Sequence, residues 1–171
     1  FRNMVRIEAE ICMETNTPLT FLLSYYFYEY SPELTLIAAD LLQEFSMPNS
    51  ELREIYLMAA QIYEQNGNIS DNISYTLKIL ELAPENLYQR ERLFELYLDN
   101  GEIENASKQF EIIKLQSKST TLIIREAAIN IFRKGNSALA IKICKTFLEL
   151  EPKNPYIMKT LGDILYWRNK Y

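Results

Sequence analysis

Histidine is absent from this 171-residue chain. That omission removes the commonest general base and a leading zinc ligand together. Cysteine is nearly as scarce: Cys12 and Cys144 are the only two, far apart and without the spacing of a metal site. Each reads as a small apolar residue, and together they assign no redox compartment. Four glycines in all leave no room for a Gly-rich phosphate loop. No apolar run reaches the ~18 residues of a membrane-spanning helix. The nearest, Leu19–Tyr30, is shorter and carries Glu29 and four tyrosines. The net charge is −5, and no basic stripe offers phosphates the counterion-displacing surface that nucleic-acid affinity needs. Nucleic acid and anionic membrane are therefore not the expected partners. No cofactor and no metal are expected either.

The chain opens on Phe1 without a signal peptide, so a segment upstream is expected. A soluble, cytoplasmic setting is the simplest one for these residues. Hydrophobic residues make up 48% of the chain, enough for one globular domain or a short repeat array.

The few glycines are placed regularly. Gly67, Gly101 and Gly135 are each 34 residues apart. The same interval relates Tyr63, Tyr97, Ile131 and Leu165, and also Ile79, Ile113 and Phe147; Pro84 and Pro152 differ by twice that interval. Self-similarity at this period signals stacked helical hairpins. Within one unit Tyr56, Ala59, Ala60 and Tyr63 mark a helix face. Gln65–Asn68 is the turn, and Gly67 supplies the left-handed residue that ends a helix. A second helix is predicted from Ser70 to Leu82, with Ile73, Leu77, Ile79 and Leu80 inward. Pro84 closes the unit.

These residues resemble the tetratricopeptide repeat family. With units starting at Arg53, Leu87, Thr121 and Pro155, the family's small pair falls at Ala59-Ala60, Ala127-Ala128 and Leu161-Gly162. Its alanine falls at Ala106 and Ala140, and its closing proline at Pro84 and Pro152. The resemblance implies an all-α fold, a right-handed superhelical solenoid of antiparallel hairpins, over a single domain 1–171. Residues 1–16 form the second helix of a preceding repeat and 17–52 a degenerate repeat. Residues 53–86, 87–120 and 121–154 form three repeats, and 155–171 the first helix of a truncated one. In the degenerate repeat Thr17-Pro18 and Ser31-Pro32 start helices, and Met47-Pro48 ends one.

The sequence also departs from the pattern. Asn72 replaces an alanine, Arg90 an aromatic, Lys118 a proline, and Phe94 a small residue. Phe94 predicts a Leu87–Thr120 hairpin more open than its neighbours. Without a polar capping helix, the last helix should leave an apolar face at Leu161, Ile164, Leu165 and Trp167. A missing segment or a second copy would cover it, so self-association through this helix is expected.

Partners of the family lie in a groove lined by the first helices. Carried over, the groove holds Phe21, Tyr25, Tyr28 and Glu29, then Glu54, Gln61, Glu64 and Gln65. Tyr88, Glu91, Glu95 and Asp99 follow, then Arg125, Phe132 and Arg133, and last Lys159, Asp163, Tyr166 and Trp167. The resemblance implies a protein or peptide partner presenting Lys or Arg to Glu91, Glu95 and Asp99, with apolar anchors at the tyrosines. The opposing reading is a plain solvated helix face. Capture of a terminal carboxylate by Lys and Asn is disfavoured, because Leu57, Gln61, Glu91 and Glu95 hold those positions. In Thr20–Tyr30, Leu22, Tyr26 and Phe27 are expected to pack inward.

No carboxylate pair stands out for acid–base chemistry, so the chain is not read as an enzyme. Asp99–Glu102 reads as a helix-ending turn, and the glycosylation-like triplets at Asn68, Asn72 and Asn105 as coincidence. The expected function is a protein–protein interaction scaffold or adaptor within a larger assembly. The alternatives are a regulatory or substrate-positioning domain of a larger enzyme, and a structural oligomerisation spacer.

Overall fold

In the computed structural model, residues 1–45, 47–116 and 120–170 are described, without the side chains of 27–29, 116, 120 and 121. Among them the chain forms ten helices: α1 (Arg2–Glu14), α2 (Leu19–Glu29), α3 (Pro32–Leu42), α4 (Asn49–Gln65), α5 (Ile69–Leu82), α6 (Leu87–Asp99), α7 (Ile103–Gln116), α8 (Thr120–Arg133), α9 (Ser137–Leu150) and α10 (Pro155–Arg168). The expectations for Lys118 and for the side chains of Phe27, Tyr28 and Glu29 lie outside the described residues. The chain divides into two compact units, Phe1–Glu85 and Asn86–Tyr171.

The glycine period builds three equal turns. Gly67, Gly101 and Gly135 have φ of 68°, 80° and 90°, a region that costs any side chain steric strain. Past each glycine the next N–H reaches back to the helix: Asn68 to the Tyr63 carbonyl at 2.9 Å, Glu102 to Tyr97 at 2.8 Å, Asn136 to Ile131 at 3.2 Å. The glycine N–H groups bond to Glu64, Leu98 and Phe132. This double closure satisfies carbonyls that a helix end would leave unpaired. Asn16, at φ 55°, makes the same closure for α1, with Thr17 N–H on Cys12 at 2.8 Å.

In the first unit α2 and α3 form one hairpin, α4 and α5 another, and α1 packs on α2 and α3. Its core joins Val5, Ala9, Leu23, Tyr26, Leu42 and Ile55. Ala59 and Ala60 pack with Tyr75 and Ile79, the close approach for which a small pair is suited. Leu77 does not point inward as predicted; it is exposed. The buried face of α5 runs instead through Asn72, Ile73, Thr76, Ile79 and Leu80. Polar residues hold that face because the Thr76 hydroxyl donates to the Asn72 carbonyl at 2.8 Å. Nor does Met47-Pro48 end a helix: α3 stops at Leu42, and Pro48 is the residue immediately before α4.

In the second unit α6–α7 and α8–α9 are hairpins, and α10 packs on both α8 and α9. The α6–α7 hairpin is packed no more openly than α8–α9 in the same unit, contrary to the expectation from Phe94. That ring is fully buried and joins an aromatic trio instead of forcing the helices apart. Phe94 lies 5.7 Å from Phe147 and 6.2 Å from Phe110, and Phe110 meets Phe147 edge-on at 4.9 Å. Cys144 lies in the same interior, where burial pushes its thiol up to about 11. In the first unit Cys12 is a half-buried core neighbour.

Candidate functional site

Helices α6, α8 and α10 lie side by side in the second unit, α8 touching both others. Their starts are fixed locally: the side chains of Asn86 and Asn154 accept N–H bonds from the first turns of α6 and α10, which anchors each helix and suits its dipole. Two clefts run between the three helices. One, of about 430 Å³, lies between α6 and α8 and is lined by Arg92, Glu95, Asp99, Asn130, Arg133 and Lys134. The other, of about 380 Å³, lies between α8 and α10 and is lined by Ile129, Phe132, Arg133, Asp163, Ile164 and Trp167. Arg133 lines both.

The first cleft is charge-balanced and not acidic as expected. Lys134 bonds Asp99 at 2.9 Å, and Arg92 stands 3.5 Å from Glu95. Partial burial raises the Glu95 carboxyl above its usual value; Arg92 opposes that, while Asp99 and Glu91 add to it. A basic ligand would therefore compete with ion pairs already made. Sequence reading missed Lys134 and Arg92. Lys134 was findable, because it stands one repeat and one residue beyond Asp99, where neighbouring first helices end side by side.

The second cleft is the more apolar. Trp167 is 44% exposed and Tyr166 55%, and their rings meet edge-on at 5.4 Å. Lys170 sits over both, 4.9 Å from the Tyr166 centroid and 5.5 Å from that of Trp167. Ile164, expected on the uncovered face, is buried at the floor between α8 and α10. Leu161 and Leu165 are half-buried.

The remaining expected groove residues fall outside these clefts. On α6, Tyr88 is exposed and Glu91 half-buried. Arg125 pairs with its neighbour Glu126 at 3.5 Å, and Lys159 is exposed. In the first unit Tyr25 is exposed on α2 and packs edge-on with Tyr26 and Tyr30. Glu54 pairs with Arg53 at 3.7 Å, and Gln61 and Glu64 are exposed on α4. The Tyr28 side chain lies outside the described residues.

No helix among the described residues is long and apolar enough to cross a membrane. No protein-family model matches the chain, and no curated protein matches it. A tetratricopeptide repeat protein from Parabacteroides merdae is similar in structure over 99% of this chain and 61% of its own, at 13% identity and a TM-score of 0.50. This chain thus spans under two thirds of that protein. MamA from Desulfovibrio magneticus RS-1 aligns over 98% of this chain and 85% of its own, at 12% identity and a TM-score of 0.48. Tetratricopeptide-like repeats of a putative kinesin light chain from Podosopora anserina align over 98% and 86%, at 12% identity and 0.47. At such identities the likeness is one of fold. Together with the three equal glycine turns, the first match shows an all-α helical-repeat fold of the tetratricopeptide kind.

Proposed function

We propose that this chain is a protein-binding scaffold whose working surface is the face of α6, α8 and α10 in the second unit. The observation that carries this reading is the open apolar cleft holding Phe132 and Trp167 beside Arg133. Aromatic and arginine side chains around a partly dry pocket are the types that most often dominate interface energy. The ligand that fits is an extended peptide segment with an aromatic or branched aliphatic anchor between α8 and α10. A carboxylate or carbonyl of the ligand meets Arg133. Glu95 and Asp99 contribute less, since Arg92 and Lys134 already neutralise them.

A displayed random-peptide library selected on the purified chain tests this. Peptides sharing an apolar anchor should be enriched, and Trp167→Ala should weaken them by about tenfold or more, the loss of roughly 1.4 kcal/mol or more. Charge reversal of Glu91, Glu95 and Asp99 should weaken them less. Peptides that bind Trp167→Ala unchanged, or a selection that enriches nothing, would contradict the proposal.

A further inference from the structure

Three exposed side chains of the second unit stand one repeat apart. Tyr88, Leu122 and Tyr156 are separated by 34 residues each and lie in the first turns of α6, α8 and α10. They are 72%, 52% and 59% exposed. Single apolar residues at a surface are ordinary, but three in register on neighbouring helices form a row. One interval earlier the position is Glu54, so the apolar row begins at Tyr88. Its exposure does not come from a missing neighbour. Helix α8 packs against both α6 and α10, and Leu122 stays open between them. Stacked repeats leave this position uncovered, on α10 as on α8.

The row is distinct from the two clefts. Leu122 and Arg133 share a face of α8, but the eleven residues between their positions set them about 16 Å apart along the axis. The row crosses the N-terminal ends of the three helices, and Arg133 marks the other end.

Spacing and charge select the occupant. Packed helices stand about 8–10 Å apart, and successive members of the row are one helix apart. A polyproline II segment repeats every three residues, about 9.3 Å, so every third side chain meets one of them. A β-strand returns to the same face at about 6.6 Å or 13 Å and misses. An α-helix returns after about seven residues, roughly 10.5 Å, but is about 10–12 Å wide. It would cover the charged row one turn inward, Glu91, Arg125 and Lys159, and desolvating those groups is costly. A polyproline II segment has no internal hydrogen bonds, so its carbonyls are free to accept from the tyrosine hydroxyls, and aromatic surfaces suit its prolines. Arg125 stands 3.5 Å from Glu126, which leaves the row flanked by Glu91 at its α6 end and by exposed Lys159 at its α10 end.

We propose that Tyr88, Leu122 and Tyr156 form a docking ladder for a proline-rich segment of a partner protein, extended as polyproline II. Its apolar residues recur at every third position. A basic residue of the segment meets Glu91 and an acidic one meets Lys159, which sets its direction across the helices. The ladder does not depend on the reading of the cleft at Trp167.

Fluorescence polarisation of a labelled synthetic peptide tests this, with proline at every third position, Lys at one end and Glu at the other. Wild type should bind it saturably. Tyr88→Ala/Tyr156→Ala should weaken it about tenfold or more with unchanged circular dichroism, since both side chains are exposed. Lys159→Glu should weaken it severalfold, and a peptide with Lys at both ends should recover that loss. Trp167→Ala, which disables the cleft, should leave binding unaltered. A wild type that ignores the peptide at millimolar concentration overturns the proposal. Binding that Tyr88→Ala/Tyr156→Ala leaves intact overturns it too, as does binding that Trp167→Ala abolishes. Tighter binding of an amphipathic helical peptide with the same end charges overturns the choice of occupant.

Discussion

The two units solve the same folding problem with different means. In Asn86–Tyr171 three helix starts are capped by the asparagine just before them, Asn86, Asn136 and Asn154. In Phe1–Glu85, α2 and α4 follow prolines that offer no side-chain cap. The Leu19 N–H at the start of α2 is met instead by the Glu51 carboxylate from α4, at 2.7 Å. Ser31 and Asn68 cap α3 and α5 of the first unit in the same local way, but the start of α2 depends on a neighbouring helix. Their cores differ likewise: the second centres on three interlocked phenylalanines. The first buries tyrosines whose hydroxyls need partners, Tyr26 donating to Glu8 and Tyr75 to Asp40. The start of α2 borrows its cap, where those of α6, α9 and α10 carry their own.

The largest expected effect strikes the phenylalanine trio. Phe147→Ala should cost about 3–5 kcal/mol, read in urea through the fluorescence of Trp167, which lies in the same unit. Exchange protection of α3 and α5 amides should fall by less, because repeat stability is carried by near neighbours. Equal losses in both units would break the comparison.

Caps give the next effect. Asn136→Ala and Glu51→Ala should each cost about 1 kcal/mol, yet with different reach. The first should loosen the start of α9. The second should loosen the start of α2 although the substituted residue is in α4. Hydrogen exchange by mass spectrometry distinguishes them, and unchanged exchange at Leu19–Leu23 in Glu51→Ala would remove the borrowed cap.

The smallest effect is one of pH. Burial alone would raise the Glu151 carboxyl, but Asn154 at 2.6 Å and Lys114 at 3.0 Å together lower it. A lowered carboxyl stabilises the fold above its unfolded value of about 4.3 and loses that contribution as pH falls through the folded value. Wild type should therefore lose stability on acidification more steeply than Glu151→Gln, by less than about 1 kcal/mol. Parallel pH profiles would show that the pair contributes nothing.

How legible this was depended on how local the cause is. Gly67, Gly101 and Gly135 announced their turns because a left-handed residue favours one amino acid. Leu77 misled, because an apolar count cannot see that Asn72 and Thr76, bonded to each other, take the buried face. Pro48 misled because proline before a helix and proline after one look alike. The candidate site was half legible: period placed Arg133, Asp163 and Trp167 on facing helices. Its charge was misread, since Arg92 and Lys134 neutralise carboxylates only once the helices are packed.

The central claim is that a ligand enters between α8 and α10, and the chain contains a single tryptophan, Trp167, in that cleft. Titrating a library-selected peptide while recording its emission reads the claim directly. The account predicts a saturable blue shift as the indole loses water, at the same concentrations at which calorimetry detects binding. Binding by calorimetry with unaltered tryptophan emission would place the partner elsewhere on the molecule and contradict it.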